Sequence, residues 1–421
     1  MAGINRRTML IGGAAATGLG AWALRPGDHS GARDGYFLGL QRALAAAGIA
    51  TPTLVIDRAR LDANVATLKA ALPPGMAYRV VAKSLPSPDL IVHVRKGAGT
   101  DRLMTFNTPT LIALNRLMPD AGQLLGKPMP VAAMAAALPQ LGAPDAVIWL
   151  IDSNARLASY AAVAEARGAT LRIALELDVG LHRGGFAPGA DLAAALQTIR
   201  GNPRLHLAGL MGYEPHVAAL PAALGLREGA LQDAWDIYGK AVAQVSDVLG
   251  AQTAATMLRN AAGSPTYRLY RDTHVANEVS AGSCLVKPTH FDTDVLRPHV
   301  AAAFIATPVI KAMDGTRLPG LESLGRIKAL WDPNLARTVF IYGGNWMADP
   351  VDPPGLQTNG LFGLSSNQEM LNGGAGLHLA PDDMVFFRPH QSEAVFMQFG
   401  DIAVYDGHAI VDRWPVFPAS A

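Results

Sequence analysis

Short apolar runs alternate with longer amphipathic segments from Thr51 to about Pro288. The short runs have the length and apolar character of buried strands, and the longer segments have the spacing of helices. Strands that alternate with helices pair in parallel through right-handed crossovers, and about eight such units favour a closed (β/α)8 barrel of the TIM type over an open sheet. We expect Asp57 to cap the helix that follows it. The predicted strands are Thr53–Asp57, Tyr78–Lys83, Arg102–Phe106, Gly122–Leu125, Ala146–Asp152, Leu171–Asp178, Leu205–Tyr213, Thr256–Asn260 and Val275–Ser280, and the predicted helices include Asn154–Ala166, Leu192–Arg200 and Gln232–Leu249.

The pattern changes after Pro288, where helical periodicity disappears and short strand-like runs are separated by glycine, proline, aspartate and asparagine. These runs predict a C-terminal all-β domain over residues 288–421, which follows an α/β barrel domain over residues 31–287. The predicted strands of this second domain are Ala301–Ile305, Arg326–Leu330, Val339–Tyr342, Met384–Phe387, Ala394–Phe399 and Ile402–Tyr405.

Residues 1–30 have the character of an export signal and are predicted to stand apart from the fold. Arg6 and Arg7 precede a mildly apolar run, Ile11–Ala23, which is too short and too rich in glycine for a comfortable membrane span. Paired arginines in this position resemble a twin-arginine signal, which would export a folded, cofactor-loaded protein. We therefore expect a periplasmic or secreted protein without a stable membrane span after signal removal, and an uncleaved N-terminal anchor is the alternative.

Composition narrows the class of protein further. Hydrophobic residues make up 50% and charged residues 16% of the 421 residues, which is ample for a large core. The formal net charge is +1, so no overall field attracts nucleic acid or an anionic membrane. Cys284 is the only cysteine of the sequence, which excludes an intrachain disulfide and a cysteine-rich zinc site.

The candidate chemistry lies where the predicted barrel strands end, because reactive groups of parallel barrels sit at the C-terminal ends of their strands. Lys83 follows the apolar run Val80–Ala82. Burial there would disfavour the charged amine and make it available as a nucleophile toward a carbonyl, whereas the alternative is a lysine that extends into solvent. The turn Gly263–Thr266 could cradle a phosphate with its backbone N–H groups and hydroxyls. Other strand ends supply Arg183, Tyr213 and His216.

Taken together, these segments resemble the D-threonine aldolase and D-serine dehydratase group of pyridoxal-phosphate enzymes. That group has a barrel of the alanine racemase type followed by a β-domain, in agreement with the pattern above. The resemblance covers most of residues 50–421 and depends on the order and spacing of its motifs. The segments that carry it are Thr51–Asp57, Arg79–Lys83, Asp178–Gly184, Tyr213–His216, Gly263–Thr266, Asn277–Ser283, Phe387–His390 and Trp414–Phe417.

The resemblance implies pyridoxal 5'-phosphate as the cofactor and an amino acid as the small-molecule substrate. Lys83 matches the Schiff-base lysine, which also acts as acid or base on one face of the cofactor. Arg183 matches the arginine that contacts the pyridoxal ring, Tyr213 lines the cofactor, and His216 matches a family histidine; Tyr213 and His216 are the other candidate catalytic residues. The residues implied to hold the phosphate are Gly263, Ser264, Thr266, Gly282 and Ser283.

The chain departs from the resemblance where the metal-dependent members of the group bind a divalent cation such as zinc or manganese. His390 matches the first ligand, but Ser392 stands where the second ligand is a cysteine or an aspartate. A serine hydroxyl is a poor ligand for zinc, so we expect a weak or absent metal. Glu393 would face away from His390 on a strand, and it remains a possible substitute together with Asp349. Met370 stands where a further family histidine is expected.

The function that the resemblance implies is a lyase, an aldolase or a dehydratase, which acts on D-configured 3-hydroxy amino acids such as D-threonine or D-serine. An amino acid racemase is the first alternative, since His216 or Tyr213 could serve as a second base opposite Lys83. A non-catalytic protein that binds pyridoxal phosphate is the second, and a barrel hydrolase with His216 and Glu214 as acid and base is the third. A homodimer is the expected assembly.

Overall fold

The computed structural model describes residues 25–316, 331–360 and 362–418. Arg6, Arg7 and the apolar run behind them lie outside the described residues, as does the predicted strand Arg326–Leu330. The chain forms two compact units. The first comprises the described residues of Met1–Thr53, Phe304–Pro389 and Gly407–Ile410, and the second those of Leu54–Ala303, His390–Asp406 and Val411–Ala421.

Eight parallel strands in the second unit close into a barrel, which confirms the predicted fold class. Several of the strands are short apolar runs whose side chains are buried; in Val147–Ile151 all five residues are buried. Each strand is joined to the next by a crossover that contains a helix or a turn. The barrel strands are β2 (Ala77–Val81), β3 (Arg102–Thr105), β4 (Gly122–Leu125), β5 (Val147–Ile151), β6 (Leu171–Leu177), β7 (Leu205–Gly212), β8 (Leu258–Ala261) and β9 (Glu278–Ala281).

The strand β1 (Thr53–Asp57) forms where it was predicted but is not part of the barrel. It pairs in parallel with β16 (Ile402–Tyr405), with Val55 opposite Ala403. Its apolar run could not distinguish these partners, because any strand buried on both faces has the same pattern. The predicted cap is confirmed, since the Asp57 carboxylate accepts a hydrogen bond from the Arg60 N–H at 2.9 Å.

The helices begin and end at capping residues that their sequences supply. Ser87, Asn107 and Ser153 each accept a backbone N–H of the first turn, and Gly99 and Gly168 end two helices in the left-handed conformation. No helix within the described residues is long and apolar enough to cross a membrane. The described helices are α1 (Gly35–Ala46), α2 (Arg58–Ala71), α3 (Pro88–Ala98), α4 (Thr108–Leu117), α5 (Val131–Ala137), α6 (Asn154–Arg167), α7 (Ala190–Gly201), α8 (Pro215–Ala219), α9 (Leu226–Leu249), α10 (Ala251–Thr256), α11 (Ser283–Val286) and α12 (Glu393–Phe396).

The first unit contains an antiparallel sheet, which confirms the predicted β-rich C-terminal part of the fold. Its strands run in the order β13–β14–β11–β10–β15–β12. Helix α1 belongs to this unit, and its Phe37 packs against Phe304 and Phe386 at centroid distances of 5.1 and 4.9 Å. The strands are β10 (Ala303–Asp314), β11 (Arg337–Tyr342), β12 (Ala348–Asp352), β13 (Gln357–Thr358), β14 (Gln368–Gly373) and β15 (Met384–Pro389), and β17 (Ile410–Trp414) follows β16 in the chain.

The strand predicted over Ala394–Phe399 is wrong, because this segment contains the one-turn helix α12. The Phe396 N–H donates to the Ser392 carbonyl at 3.1 Å, which closes the turn. A four-residue apolar segment does not reveal its period, since one helical turn and a short strand bury a similar number of side chains. The correction matters because it decides where the side chain of Glu393 points.

Candidate active site

Lys83 lies at the C-terminal end of β2, in the 3-10 turn Ala82–Ser84 that follows the strand. Its Nζ lies 3.6 Å from Glu393 Oε1 and 4.8 Å from the centroid of the Phe106 ring. The side chain is 45% exposed, which agrees with the alternative of a lysine that extends from the strand end and not with a buried one. The strand ends at Val81, two residues earlier than its apolar character suggested, and the turn directs the lysine into a cavity.

This cavity has a volume of about 640 Å³ and is lined by residues that follow several neighbouring barrel strands. It therefore lies at the C-terminal end of the barrel, where parallel barrels place their reactive groups. Its volume falls in the ordinary range for a small-molecule site. The numbers of positively and negatively charged side chains in the lining are equal, and apolar side chains form the rest of the cavity wall. The charged lining residues are Lys83, Lys127, Arg183, Asp152, Glu176 and Glu393, and the large apolar ones are Phe106, Met397 and Phe417.

Glu393 joins Lys83 to a pair of serines beside the cavity. Ser84 donates its hydroxyl to Glu393 Oε1 at 3.2 Å, and the hydroxyls of Ser84 and Ser283 lie 2.9 Å apart. Ser84 is buried, and Ser283 is the first residue of α11. Ser283 is one of the residues implied to hold a phosphate, so the contact connects the lysine with that group.

The other predicted phosphate-binding residues form one hydrogen-bonded cluster. Ser264 Oγ accepts the N–H groups of Gly282 and Cys284, both at 3.1 Å. Thr266 Oγ1 accepts the Gly263 N–H at 3.1 Å. The structure thus brings together two segments that lie on neighbouring strand ends, after β8 and after β9.

Two glycines of this cluster have no room for a side chain. A Cβ on Gly263 would lie 2.4 Å from a ring carbon of Tyr213, and a Cβ on Gly282 would lie 2.7 Å from the Val81 carbonyl oxygen and 2.9 Å from Ser84 Cβ. The backbone of both segments therefore packs directly against the strand end of Lys83 and against Tyr213.

Arg183 and Tyr213 lie together. The guanidinium carbon of Arg183 is 5.6 Å from the centroid of the Tyr213 ring, a cation–π contact at the cavity wall. Burial and the charge of Glu214 together raise the pKa of Tyr213 to about 12, and the charge of Arg183 opposes the shift. The phenol is accordingly protonated at neutral pH and is available as a hydrogen-bond donor.

The loop that carries Arg183 is fixed by its own backbone contacts. The Asp178 carboxylate accepts the N–H groups of Gly180 and His182 at 3.1 and 2.9 Å. A Cβ on Gly185, whose φ is +103°, would lie 2.9 Å from the Asp178 backbone nitrogen. The loop therefore requires glycine, and it presents Arg183 to the cavity from a defined position.

His216 is placed outside the lining of the cavity. It lies on α8, and its Nε2 is 3.2 Å from the position that a Cβ of Gly180 would take. Burial lowers its pKa, and the nearby His182 lowers it further. Its Nδ1 is buried and has no hydrogen-bond partner in residues 25–316, 331–360 and 362–418. Tyr213 thus lies beside Arg183, whereas His216 lies against Gly180 and does not line the cavity.

Glu214 is closed off from any substrate. It is 1% exposed, and its carboxylate accepts the hydroxyl of Thr266 at 2.6 Å and the Ala262 N–H at 3.3 Å. Burial raises its pKa. Through these contacts Glu214 has a structural role, which is to hold the turn Gly263–Thr266 in place.

His390 stacks on His290, with ring centroids 5.3 Å apart and the planes at 21°. Among the residues that the structure describes, no group of three or more His, Cys, Asp and Glu side chains is arranged to hold a metal ion. Ser392 is fully buried, and its hydroxyl has no hydrogen-bond partner in the described part of the chain. Glu393 faces Lys83, while Asp349 and Met370 lie in the other unit, on β12 and β14.

Sequence reasoning missed the acidic side of the cavity. Asp152 follows β5 and Glu176 lies near the end of β6, so the rule that strand ends carry the chemistry could have found both. Burial raises the pKa of Glu176 and Arg183 opposes the shift. Glu393 had been considered only as a metal ligand, because its segment was interpreted as a strand.

The alanine racemase N-terminal domain family model matches residues 56–289, and the chain therefore belongs to this family. The resemblance inferred from the sequence motifs is thereby confirmed at the level of the fold and the family. Pyridoxal phosphate is the cofactor expected for this family. No curated protein matches the chain at a significant level.

Several solved structures share the fold. D-threonine aldolase from Filomicrobium marinum is 17% identical and has a TM-score of 0.67, with 87% of this chain and 94% of that chain covered. D-threo-3-hydroxyaspartate dehydratase from Delftia sp. HT23 is 18% identical, with a TM-score of 0.66 and coverage of 88% and 98%. Alanine racemase from Clostridium difficile 630 is 12% identical, with a TM-score of 0.65 and coverage of 86% and 98%.

The residues on the cavity wall suit the expected cofactor. A lysine amine can bind its aldehyde, and Arg183 can face its ring. The cluster from Gly263 to Thr266, tied to Gly282 and Cys284, contains hydroxyls and backbone N–H groups of the kind that bind phosphate. It lies outside the residues that line the cavity, and the N–H groups of Gly263 and Gly282 donate to the hydroxyls of Thr266 and Ser264.

Proposed function

We propose that the protein is a pyridoxal-phosphate-dependent lyase that acts on D-configured 3-hydroxy amino acids such as D-threonine or D-serine. The observation that carries the proposal is the position of Lys83, which reaches into a cavity of about 640 Å³ at the strand ends of a barrel of this family. The glycine–serine–threonine cluster on one side and Arg183 on the other supply the remaining contacts that the cofactor needs.

Each residue then has a defined part. Lys83 would hold the cofactor through its Nζ, and the same Nζ, once released from the cofactor, would exchange a proton with the substrate. Ser264, Thr266 and the backbone beside Gly282 would bind the phosphate, and Arg183, which lies against Tyr213, would contact the ring. When bound, pyridoxal phosphate supplies the electron sink that allows a bond to the α-carbon of an amino acid to break.

The lyase is favoured over the racemase by the surroundings of the second base. A racemase needs a base on the face opposite Lys83, but His216 does not line the cavity and the pKa of Tyr213 is raised to about 12. The structural neighbours include a D-threonine aldolase and a D-threo-3-hydroxyaspartate dehydratase, but alanine racemases share the fold as well, so the choice depends on the second base. The hydrolase alternative is disfavoured because Glu214 is buried and bonded to Thr266.

The test begins with the absorbance spectrum of the purified protein, followed by borohydride reduction and peptide mapping. We expect a yellow chromophore that reduction traps on Lys83. D-threonine should then yield glycine and acetaldehyde, and D-serine should yield a keto acid and ammonia. Loss of optical rotation in an L-amino acid without cleavage would replace the lyase by a racemase. A trapped cofactor without turnover of any amino acid would leave a non-catalytic binding protein, and a colourless protein that takes up no cofactor would overturn the proposal.

Export is a separate part of the proposal and is supported by Arg6 and Arg7 before a weakly apolar run. Replacement of both arginines by lysine should retain the folded protein in the cytoplasm, because the twin-arginine route reads the guanidinium pair. Cell fractionation measures the result, and Arg42→Lys, an exposed position on α1, is the control. The same periplasmic fraction for the double variant and the parent would refute this route.

A further inference from the structure

The Glu393 carboxylate contacts the one amine on which the proposed chemistry depends, yet no step described above uses it. Its Oε1 lies 3.6 Å from Lys83 Nζ, and its side chain is 28% exposed at the cavity wall. The other two carboxylates of the wall have different environments. Asp152 forms an ion pair with Arg156 at 2.7 Å, and Glu176 is half-buried near Arg183.

The backbone fixes this carboxylate in place. Glu393 is the first residue of the one-turn helix α12, which is anchored by Val395 and Phe396, both fully buried. Ser392 before it is also fully buried. The side chain of Glu393 is therefore directed toward Lys83 by a rigid turn and not by a flexible loop.

Hydrogen bonds connect the Glu393 carboxylate with Ser283, one of the residues predicted to bind the phosphate. Ser84 has one hydroxyl proton, which it donates to Glu393 Oε1 at 3.2 Å, since a carboxylate can only accept. The contact of 2.9 Å between the hydroxyls of Ser84 and Ser283 must then be donated by Ser283. A directed chain of bonds thus runs from Ser283 through Ser84 to the carboxylate, and the Lys83 ammonium completes it.

We propose that Glu393 is a positioning residue of the cofactor site, which holds the Lys83 amine at the cavity wall and couples it through Ser84 to Ser283. The cofactor's part in this inference rests on the proposed function, whereas the contact between Glu393 and Lys83 can be measured without the cofactor. Glu393 is thus the side chain that sets the position and the charge environment of the Lys83 amine.

The electrostatic consequence has a definite sign. The charged groups that line the cavity together with Lys83 are Glu393, Asp152, Glu176, Arg183 and Lys127. The Glu393 carboxylate at 3.6 Å attracts the lysine amine, although the 45% exposure of Lys83 weakens the attraction by solvent screening. Removal of the carboxylate should therefore release the amine from its position at the cavity wall.

The first experiment follows, by absorbance, the rate at which pyridoxal phosphate attaches to cofactor-free protein. Glu393→Gln should slow the attachment by about tenfold, because the amine is no longer held at the cavity wall, and Glu393→Asp should restore part of the difference. The matched control is Glu165→Gln, which removes a surface carboxylate that pairs with Arg204 at 2.6 Å on the outside of the barrel. Equal attachment rates for Glu393→Gln and the parent would overturn the inference.

The second experiment needs no cofactor, and it separates failure of the inference from failure of the proposed function. Lys83 in cofactor-free protein is labelled at neutral pH with an amine-reactive acetylating reagent and quantified by mass spectrometry against Lys240 on α9. Glu393→Gln should raise this ratio by about threefold, because the amine is no longer held against the carboxylate and is more open to the reagent. An unchanged ratio would refute the contact, even in a protein that never binds pyridoxal phosphate.

A coupled variant distinguishes a directed chain from a general loosening of the fold. Ser84→Ala removes the bond that orients Glu393, so it should change the labelling ratio in the same direction by a smaller factor. In the Glu393→Gln background the same change should add little, since residues that act through one another are not additive. Fully additive effects would contradict the chain from Ser84 to Glu393. The single variant Ser84→Ala also tests this chain if Glu393→Gln folds poorly.

Discussion

Two charged clusters occupy the barrel unit, and they differ in tightness and exposure. Inside the barrel, Arg79 Nε lies 2.5 Å from Glu278 Oε1, and the two side chains are 4% and 0% exposed. At the strand ends, Lys83 and Glu393 are 3.6 Å apart and are 45% and 28% exposed. Both pairs join a base to a carboxylate, so the difference lies in what surrounds them.

The carboxylate of the interior cluster is engaged by three neighbouring side chains. The Glu278 carboxylate accepts from Arg79 at 2.5 and 3.0 Å, from Arg102 at 2.7 Å and from Asn260 at 2.7 Å. Arg79 also donates to the carbonyl oxygens of Leu103 and Gly122, so the ion pair is fully engaged by the barrel strands. The strand-end pair keeps donors and acceptors that face a cavity. The comparison teaches that a saturated ion pair marks structure, whereas an unsaturated pair beside a cavity marks chemistry.

The largest effect should come from Lys83→Ala, which tests the strand-end cluster. Covalent attachment of pyridoxal phosphate should be abolished, and turnover should fall by at least about a thousandfold, because both the attachment point and the acid or base are lost. The free energy of unfolding should change by no more than about 0.5 kcal/mol, since the side chain is 45% exposed. Absorbance, steady-state kinetics and urea denaturation measure these quantities, with Lys240→Ala as the control. A variant that stays yellow and active would remove Lys83 from the site.

Glu278→Gln should have the opposite profile. Removal of one partner from a buried ion pair leaves Arg79 uncompensated, and the free energy of unfolding should fall by about 3–5 kcal/mol. Urea denaturation measures the loss, and any folded protein that remains should still take up pyridoxal phosphate. A stable variant that has lost only the cofactor would show that the interior cluster belongs to the active site and that the two clusters do not differ in role.

The same variant has a pH signature. Burial would raise the pKa of Glu278, but the charge and hydrogen bonds of Arg79, together with Arg102, hold it below its ordinary value of 4.5. A carboxyl whose pKa is lowered in the folded state stabilises the protein above its unfolded pKa, and this contribution is lost as the pH falls through the folded pKa. The parent should therefore lose stability below about pH 4.5, and Glu278→Gln should lack that part of the acid dependence. If the free energy of unfolding falls in parallel for the two proteins as the pH is lowered, Glu278 does not make this contribution.

A smaller effect is expected from Gly282→Ala, which perturbs the strand-end cluster without removing a functional group. The added Cβ would lie 2.7 Å from the Val81 carbonyl oxygen, so the turn that carries Lys83 must shift. Affinity for pyridoxal phosphate should fall by about ten- to a hundredfold, because small displacements at such sites are costly. Gly229→Ala on α9 has nothing within 4 Å of the new Cβ, and as the matched control it should stabilise the helix by about 0.4–1 kcal/mol. Equal cofactor affinity for the two variants would show that Gly282 is not part of the site.

The two clusters also differ in how far the sequence predicts them. An apolar run that ends in a lysine can be recognised locally, but it did not decide between a buried and an exposed Lys83, because the end of β2 is set by the turn that follows. The order of the motifs singled out Lys83 and placed Ser264 with Gly282. Glu393 was missed because its neighbours reach Lys83 only through tertiary folding, and the sheet membership of Thr53–Asp57 was wrong for the same reason. Local pattern fixes elements, and long-range partners decide what their ends face.

The smallest effect should come from removing metal ions. Zinc prefers nitrogen, thiolate and carboxylate donors, and near His390 the chain offers the neutral hydroxyl of Ser392. The nearby carboxylate of Glu393 is already engaged by Lys83 and Ser84, so a cation could recruit it only by breaking those contacts. We therefore expect turnover to be the same before and after EDTA treatment, and elemental analysis of protein purified without chelator to find well below one zinc or manganese per chain. Re-addition of each metal to treated protein is the control. Stoichiometric metal together with EDTA-sensitive turnover would mean that Glu393 serves the cation and not Lys83, and the strand-end cluster would then be as saturated as the interior one.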